Sequence, residues 1–332
     1  MNNFFSMKNS MPENVIRRYK AKNKIKNVLL KLFRLLILLS LGYVVFYPLM
    51  YMLTSSIRTG ESYYDPTITW ITTKVTMENF KISFSVMNYL NSFKNTVVYE
   101  LLTAIIQLCS CAVAAYGFAR FNFKEKGFLI GVLYLTILLP AQATMLPNYI
   151  NYSHLDVLGI LGQFYKLTGL DLRINILNTP FVFYFPAIFG VGLRSGIIIF
   201  IFMQFFKGLP KELEEAAAID GSNAFGTFLR IALPSSSVVI FTNLIFSVIW
   251  HWNDFYLAAM YLKDRNNFTL AVSLAEIKNS LEQLRLTWQV NNPAVGSMVM
   301  AACVLYVVPV LIMYIFSQKK FVKSIDRVVI TG

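Results

Sequence analysis

The sequence predicts an all-α polytopic membrane protein with six transmembrane helices, and three observations predict it. Hydrophobic residues make up 56% of the 332-residue chain and charged residues only 14%, where a soluble domain carries roughly 25% charged residues. Apolar runs long enough to cross a bilayer recur along the chain, and mean hydropathy is +0.54. Basic residues crowd into alternate loops, the bias that orients such proteins. The formal charge of +13 belongs to those loops and to the amino-terminal tail, so nucleic acid is not an expected partner and the lipid bilayer is.

The first span is Leu35–Leu53, 19 residues with Pro48 inside it. Arg17, Arg18, Lys20, Lys22, Lys24, Lys26, Lys31 and Arg34 precede it, and no small-residue cleavage motif follows, so it reads as an uncleaved span. The second is Thr96–Phe118 and the third Phe128–Leu146, with Pro140 inside it. The fourth is interrupted: Phe181–Phe189 is apolar, but Gly190, Gly192, Arg194 and Gly196 intervene before Ile197–Phe206. A short re-entrant element leading into a span from Ser195 reconciles the two runs. The fifth span is Ser235–Trp252 and the sixth Ser297–Phe316. The chain divides accordingly into a basic tail (1–34), the first span with its outer loop (35–95), a five-helix core (96–316) containing a polar loop at 207–234, and a carboxyl tail (317–332).

Orientation follows from the loops. The tail 1–34 holds nine basic residues against Glu13. The second-to-third loop carries Arg120, Lys124 and Lys126 against Glu125, and the carboxyl tail Lys319, Lys320, Lys323 and Arg327 against Asp326. The intervening segments Thr54–Asn95, Pro147–Arg194 and Asn253–Gly296 are longer and nearly charge-balanced. By the positive-inside rule both termini, and with them the loop Lys207–Leu233, are cytoplasmic.

That loop carries the most specific string in the chain. Glu215-Ala216-Ala217, three residues, Gly221, nine residues, then Ile231-x-Leu233-Pro234 fixes seven positions, a coincidence of roughly one in a million at ordinary residue frequencies. Its local physics predicts two short helices at an elbow. Pro210 suits a helix start, and Glu212, Glu214 and Glu215 complement the dipole in the opening turns. Leu213, Ala216 and Ala217 give a narrow face with small residues, and Gly221 ends the helix as a left-handed cap. A second helix begins at Ser222 or Asn223, with Phe225, Phe228 and Leu229 on one face, and Leu233-Pro234 starts the fifth span.

The string resembles the cytoplasmic coupling loop of ABC importer permeases. Around it, Asn91 to Asn95 is similar to the opening of the permease core, and Ala115-Tyr116-Gly117-Phe118-Ala119-Arg120-Phe121 resembles the close of the second span in carbohydrate-type permeases. Leu139-Pro140, Leu146-Pro147, Leu177-Asn178-Thr179 and Phe205 to Leu213 fit the same pattern, as does Trp250-His251-Trp252-Asn253-Asp254-Phe255. Together these resemble the maltose-permease-like second membrane subunit of carbohydrate importers. In the tail Phe321-Val322-Lys323 fits, but Ser324 replaces the family's Gly and the remaining residues diverge.

The resemblance implies a type I importer permease bundle in a bacterial cytoplasmic membrane, forming half of a pore for a sugar, an oligosaccharide in first place. Its partners would be a second, related permease in a heterodimer, two ABC ATPase subunits, and an extracellular or periplasmic solute-binding protein. Glu214 and Glu215 would be the polar contact with the ATPase, Ala216 and Ala217 the close-packed face, and Gly221, preceded by Asp220, the pivot, with Ile231, Leu233 and Pro234 completing the motif. ATP and Mg would bind to the ATPase. This chain has no G-x-x-x-x-G-K-[ST] loop and would perform no bond chemistry.

Other candidates are weaker. His154 and His251 read as interfacial polar residues, and no ligand spacing suggests a metal. Cys109, Cys111 and Cys303 read as small core residues. Glu100, the only acid within a predicted span and about one turn inside its outer end, reads as snorkelling, as an interhelical hydrogen bond or as a substrate contact. Arg194 is either a loop anchor or pore-facing. Trp250, Trp252 and Tyr256 are interfacial anchors or sugar-stacking rings, and Asn253 and Asp254 sit where sugar hydroxyls would pass. A permease for a non-sugar solute is the first alternative. An ion-coupled secondary transporter is the second, and it calls for functional charges or inverted repeats in the spans, where Glu100 alone is present. An intramembrane enzyme lacks a catalytic constellation.

Overall fold

A computed structural model describes residues 13–67, 74–156, 159–288 and 295–330. The start of the predicted basic tail, positions 68–73 and 289–294 of the outer loops, 157–158, and Thr331 and Gly332 lie outside the described residues, as do the side chains of Lys319, Lys320, Lys323, Asp326 and Arg327. Among the described residues all regular elements are helical, with isolated bridges at Arg58–Val75 and Leu155–Ile174.

Helix α1 (Glu13–Ser56) runs for 44 residues through the predicted first span. Helix α2 (Tyr89–Arg120) starts after Asn88, whose backbone is left-handed at φ 45°. This is earlier than the predicted Thr96, and it corrects the placing of Glu100, which lies about three turns into the helix rather than one.

The predicted third span is not one rod. It consists of α3 (Lys126–Leu138) and α4 (Ala141–Ser153), bent by 102°. The cause is local. A residue before proline is pushed from the helical region, and Leu139 sits at φ −72°, ψ 125° ahead of Pro140. The interrupted fourth span is as the sequence predicts. Helix α5 (Phe181–Ile188) ends in a turn with Gly190 at φ +67° and Arg194 at φ +55°, and α6 (Ser195–Gly208) follows. At 14 residues, α6 is about 21 Å long, short of the roughly 30 Å hydrocarbon core.

The polar loop forms α7 (Lys211–Ile219) and α8 (Ala224–Thr227). A wide π-turn over Phe228–Ala232 and a single turn at Leu233–Ser235 lead to α9 (Ser237–Trp252). Pro234 supplies no N–H to the carbonyl of Arg230, which accounts for the widened turn. The segment Ala224–Ser235 meets α9 at 77°. Helix α10 (Val295–Ile330) contains the sixth span but continues through the predicted carboxyl tail for 36 residues in all. Among the described residues α1, α2 and α10 are long and apolar enough to cross a membrane, the number rising to five if each bent pair is one span, and α6 is a shorter apolar helix.

Helix α2 is the hub, packed against α5, α6 and α9, while α1 lies along α10. Cys111, Ala112 and Ala115 of α2 share one buried cluster with Ile198, Phe202, Met203 and Phe206 of α6. Small residues on one helix admit large ones from the next, which is how helices associate in lipid, where no hydrophobic drive brings them together. Cys109 is exposed on the other face of α2 and Cys303 is half-buried, so of the three cysteines only Cys111 is a core residue. Short helices Glu78–Val86, Tyr256–Tyr261, Leu270–Ala275 and Ile277–Trp288 gather at the amino end of α2, through Asn95 Nδ2 donating to Asn266 O at 2.7 Å and Leu270 N donating to Thr96 Oγ1 at 2.7 Å. The elbow sits at its other end.

Candidate functional site

The elbow is built by three local devices. Pro210 caps α7 in an extended conformation at ψ 133°. At the far end Gly221 takes φ +80°, a conformation that L side chains disfavour. Ser222 N donates to Ala217 O at 2.9 Å and Gly221 N to Ala218 O at 3.0 Å, the paired bonds of a Schellman close. Asn223 caps α8, its Oδ1 accepting from Gly226 N at 2.7 Å.

Side chains then sort into two faces. Glu214 turns inward: its Oε1 lies 2.9 Å from Arg120 Nε and accepts from Tyr116 Oη at 3.0 Å. Arg120 Nη2 also donates to Leu209 O at 2.7 Å. The arginine is only 7% exposed, so this pair is well shielded and fastens α7 to the end of α2. Ala217 is buried within the chain. Outward stand Glu212, Glu215, Ala216, Ile219 and Asp220. Ile219 is 87% exposed and Phe225 62%, with Leu213 and Leu229 also exposed.

Of Phe225, Phe228 and Leu229, expected on one face, Phe228 is buried, with its ring 5.1 Å from Tyr116 and 6.2 Å from Phe206, and the exposed Phe225 ring packs beside it at 6.3 Å. Leu229 is exposed. The turn beginning at Phe228 is a π-turn. Ile231 and Leu233 are half-buried, and Pro234 is exposed at the base of α9.

A second polar region lies inside the bundle. His251 is not an interfacial residue. It is buried, with Nδ1 3.4 Å from Glu100 Oε2 and Nε2 3.2 Å from Gln107 Oε1. Glu100 is 2% exposed, so it does not snorkel; it faces His251 of α9, and its Oε2 accepts no hydrogen bond among the described residues. Gln107, fully buried, accepts from Ser247 Oγ at 2.7 Å and donates through Nε2 to Leu193 O and Ser195 Oγ, each at 2.7 Å. A carboxylate deep in a bundle must find such partners or neutralise.

Of the other predicted pathway residues, Trp252 and Asp254 are buried and Asn253 is exposed. Tyr306 Oη donates to Trp252 O at 2.9 Å and lies 3.2 Å from Asn253 Oδ1. Trp250 is half-buried beneath the Arg194 guanidinium, 5.0 Å from its ring centre. That contact holds the exposed Arg194 against α9. Sequence reasoning missed Gln107 and the pairing of His251. The signal was present in the four-residue spacing of Asn243, Ser247 and His251, and in Thr96, Glu100, Thr103 and Gln107, two polar stripes inside apolar helices. No group of three or more His, Cys, Asp or Glu side chains that could hold a metal occurs among the described residues.

Comparison with known proteins agrees with this architecture. The model of the family described as "Binding-protein-dependent transport system inner membrane component" matches residues 21–327. The chain is similar to "Probable ABC transporter permease protein YurM" of Bacillus subtilis, 28% identical over 84% of this chain and 81% of the relative. It is also similar to the arabinooligosaccharides transport system permease protein AraQ of Halalkalibacterium halodurans, 26% identical over 86% of this chain and 91% of the relative. A solved bacterial ABC transporter involved in import of the acidic polysaccharide alginate shares the fold at a TM-score of 0.71, with 18% identity, over 89% of this chain and 98% of that one. Membrane components of this kind are not themselves enzymes. A multi-pass helical chain with a polar elbow at one end of its central helix, matched over nearly its whole length, belongs to the binding-protein-dependent transport system inner membrane component family, the permeases of ABC importers.

Proposed function

We propose that this chain is one of two membrane subunits of an ATP-driven importer for an oligosaccharide. It forms half of the translocation pore with a second, related permease, receives sugar from an external solute-binding protein, and is driven by two ATPase subunits that hold ATP and Mg. It resides in the bacterial cytoplasmic membrane with both termini inside. The sugar assignment is supported by the names of its relatives, which include an arabinooligosaccharide permease.

The observation that carries the coupling role is the outward face of α7 and α8. Ile219 is 87% exposed and Phe225 62% on these two short helices, where Glu212, Glu215 and Asp220 are exposed as well. Large apolar side chains exposed among acids suit a protein partner. We assign ATPase contact to Glu215, Ala216, Ile219 and Asp220, while Glu214 and Ala217 hold the elbow to the bundle and Gly221 sets its angle. Ile231, Leu233 and Pro234 pass its displacement into α9. Asn253 and Trp250 are the pathway residues open to sugar, with Glu100, Trp252 and Asp254 supporting the wall behind them.

The test is cross-linking with transport. Ala216→Cys should form a disulfide or short cross-link with the ATPase in assembled membranes. Vesicles containing both permeases, the ATPase and the binding protein should accumulate a labelled oligosaccharide only with ATP inside the ATPase compartment. Uphill accumulation by this chain alone, or no cross-link in a transporting assembly, rejects the reading.

A further inference from the structure

We propose that Gln107 is a positioning residue that conveys motion of the elbow to the break between α5 and α6; the inference rests on the coupling role proposed above. The amide is fully buried and is bonded to three separate segments at once. Its Nε2 donates to Leu193 O and Ser195 Oγ, the last residues of the break and the first of α6, each at 2.7 Å. Its Oε1 accepts from Ser247 Oγ at 2.7 Å and faces His251 Nε2 at 3.2 Å, both on α9. Gly192 passes so close that a Cβ there would sit 3.4 Å from Nε2.

The two helices that Gln107 joins to the break each have one end at the elbow. Helix α9 follows α8 through the π-turn, the turn at Leu233–Ser235 and a bend of 77°. Helix α2 ends at Arg120, which is paired with Glu214 of α7, about 20 Å along the helix from Gln107. A displacement at the elbow therefore reaches Gln107 along two rods, one through Arg120 and one through Ser247. From Gln107 the next groups are the carbonyl of Leu193 and the hydroxyl of Ser195, where the backbone is already in the left-handed region at Arg194, φ +55°. Ser110, one turn further along α2, donates to Ala187 O at the end of α5 at 2.6 Å. A two-sided amide is suited to this role because one side chain fixes both groups in one geometry, whereas apolar packing permits sliding.

A merely structural amide would lower stability and activity together. A positioning amide separates them. The experiment uses the complete importer in proteoliposomes, with a tritium-labelled panel of maltodextrins, arabino-oligosaccharides and oligo-uronates, and reads ATP hydrolysed per sugar accumulated. Gln107→Met keeps length and volume, removes the four contacts and leaves the Arg194–Trp250 contact in place. It should raise the ATP-to-sugar ratio at least tenfold while stimulated hydrolysis stays within about twofold of wild type. Should Gln107→Met fail to assemble, the double variant Ser195→Ala with Ser247→Ala, which removes one bond from each side, should raise the ratio by a smaller factor. An unchanged ratio in whichever variant assembles overturns the proposal, whether transport is normal or both activities fall in proportion. Wild-type vesicles that accumulate no sugar from the panel with ATP would instead reject the importer reading beneath it, a failure seen before any variant is compared.

Discussion

The elbow and the buried cluster are both polar features of an apolar chain, yet they are built in opposite ways. At the elbow the charged groups divide: Glu214 is held by Arg120 and Tyr116, and Glu212, Glu215 and Asp220 face outward beside exposed Ile219 and Phe225. In the cluster nothing faces outward. Glu100, Gln107, Ser247 and His251 meet one another at 2.7 to 3.4 Å and all are buried. The first arrangement presents a surface to a partner and the second ties helices to each other. Changes at the elbow's outer face should therefore alter transport with little effect on stability, and changes at Glu100 and His251 in the cluster should lower stability.

The largest expected effect is at Gly221. Its φ of +80° is closed to proline, which is locked near −65°, so Gly221→Pro must break the Schellman close and re-aim α8. Uptake should fall to background while the protein inserts at normal abundance, measured by labelled-sugar uptake beside membrane immunoblots. Normal uptake would break the comparison at once, because the elbow would then have no part in transport.

The buried pair comes next. Glu100→Ala leaves His251 facing a void without its partner. Breaking one member of a buried pair costs about 3–5 kcal/mol in soluble proteins, and bonds between membrane helices run smaller, about 1–2 kcal/mol. The expected loss is about 2 kcal/mol in reversible denaturation of the detergent-solubilised chain. Glu100→Leu with His251→Phe should cost less than Glu100→Ala alone, because no orphaned polar group remains. A double variant worse than the single would mean that the pair itself stabilises the bundle.

The contrast also explains what could be read beforehand. The all-helical class, the interruption before Ser195 and the left-handed cap at Gly221 were all visible, because each follows from apolar runs or from a single residue's backbone limits. The bend at Leu139 was hidden: the apolar run continues through Pro140, and only the restriction on the preceding residue reveals that the helix stops. The π-turn at Phe228–Ala232 was hidden as well, since helical spacing does not encode it. Glu214 looked equivalent to Glu215, since nothing in the local string says that Arg120, 94 positions earlier, lies beneath it. His251 was seen as solitary for the same reason, its partners being on α2.

The Arg120–Glu214 pair tests whether the elbow is held as one body with α2. A double-mutant cycle with Arg120→Gln and Glu214→Gln should give a coupling energy of about 1–2 kcal/mol, above the 0.2–1 kcal/mol of exposed pairs, since the arginine is shielded. A coupling near zero would mean that Tyr116 and packing hold α7 without it, and that the α2 rod is loosely joined to the elbow.

The smallest stability effect should come from Ile219→Ser, and it sharpens the comparison most. Ile219 is 87% exposed, so its loss removes almost no internal contact. Such surface substitutions shift stability by no more than about 0.5 kcal/mol, and here the sign should favour the isolated chain's solubility. If α7 presents this side chain to the ATPase, the same substitution deletes an apolar anchor from an interface centre, where truncations cost about 2 kcal/mol or more. ATPase retention on the purified membrane complex should then fall by roughly thirtyfold, while Glu214→Gln weakens the elbow without directly touching the partner. Equal retention by Ile219→Ser and wild type would leave the exposed face without an occupant, and the division between a surface for a partner and a knot for the bundle would fail at its outer half.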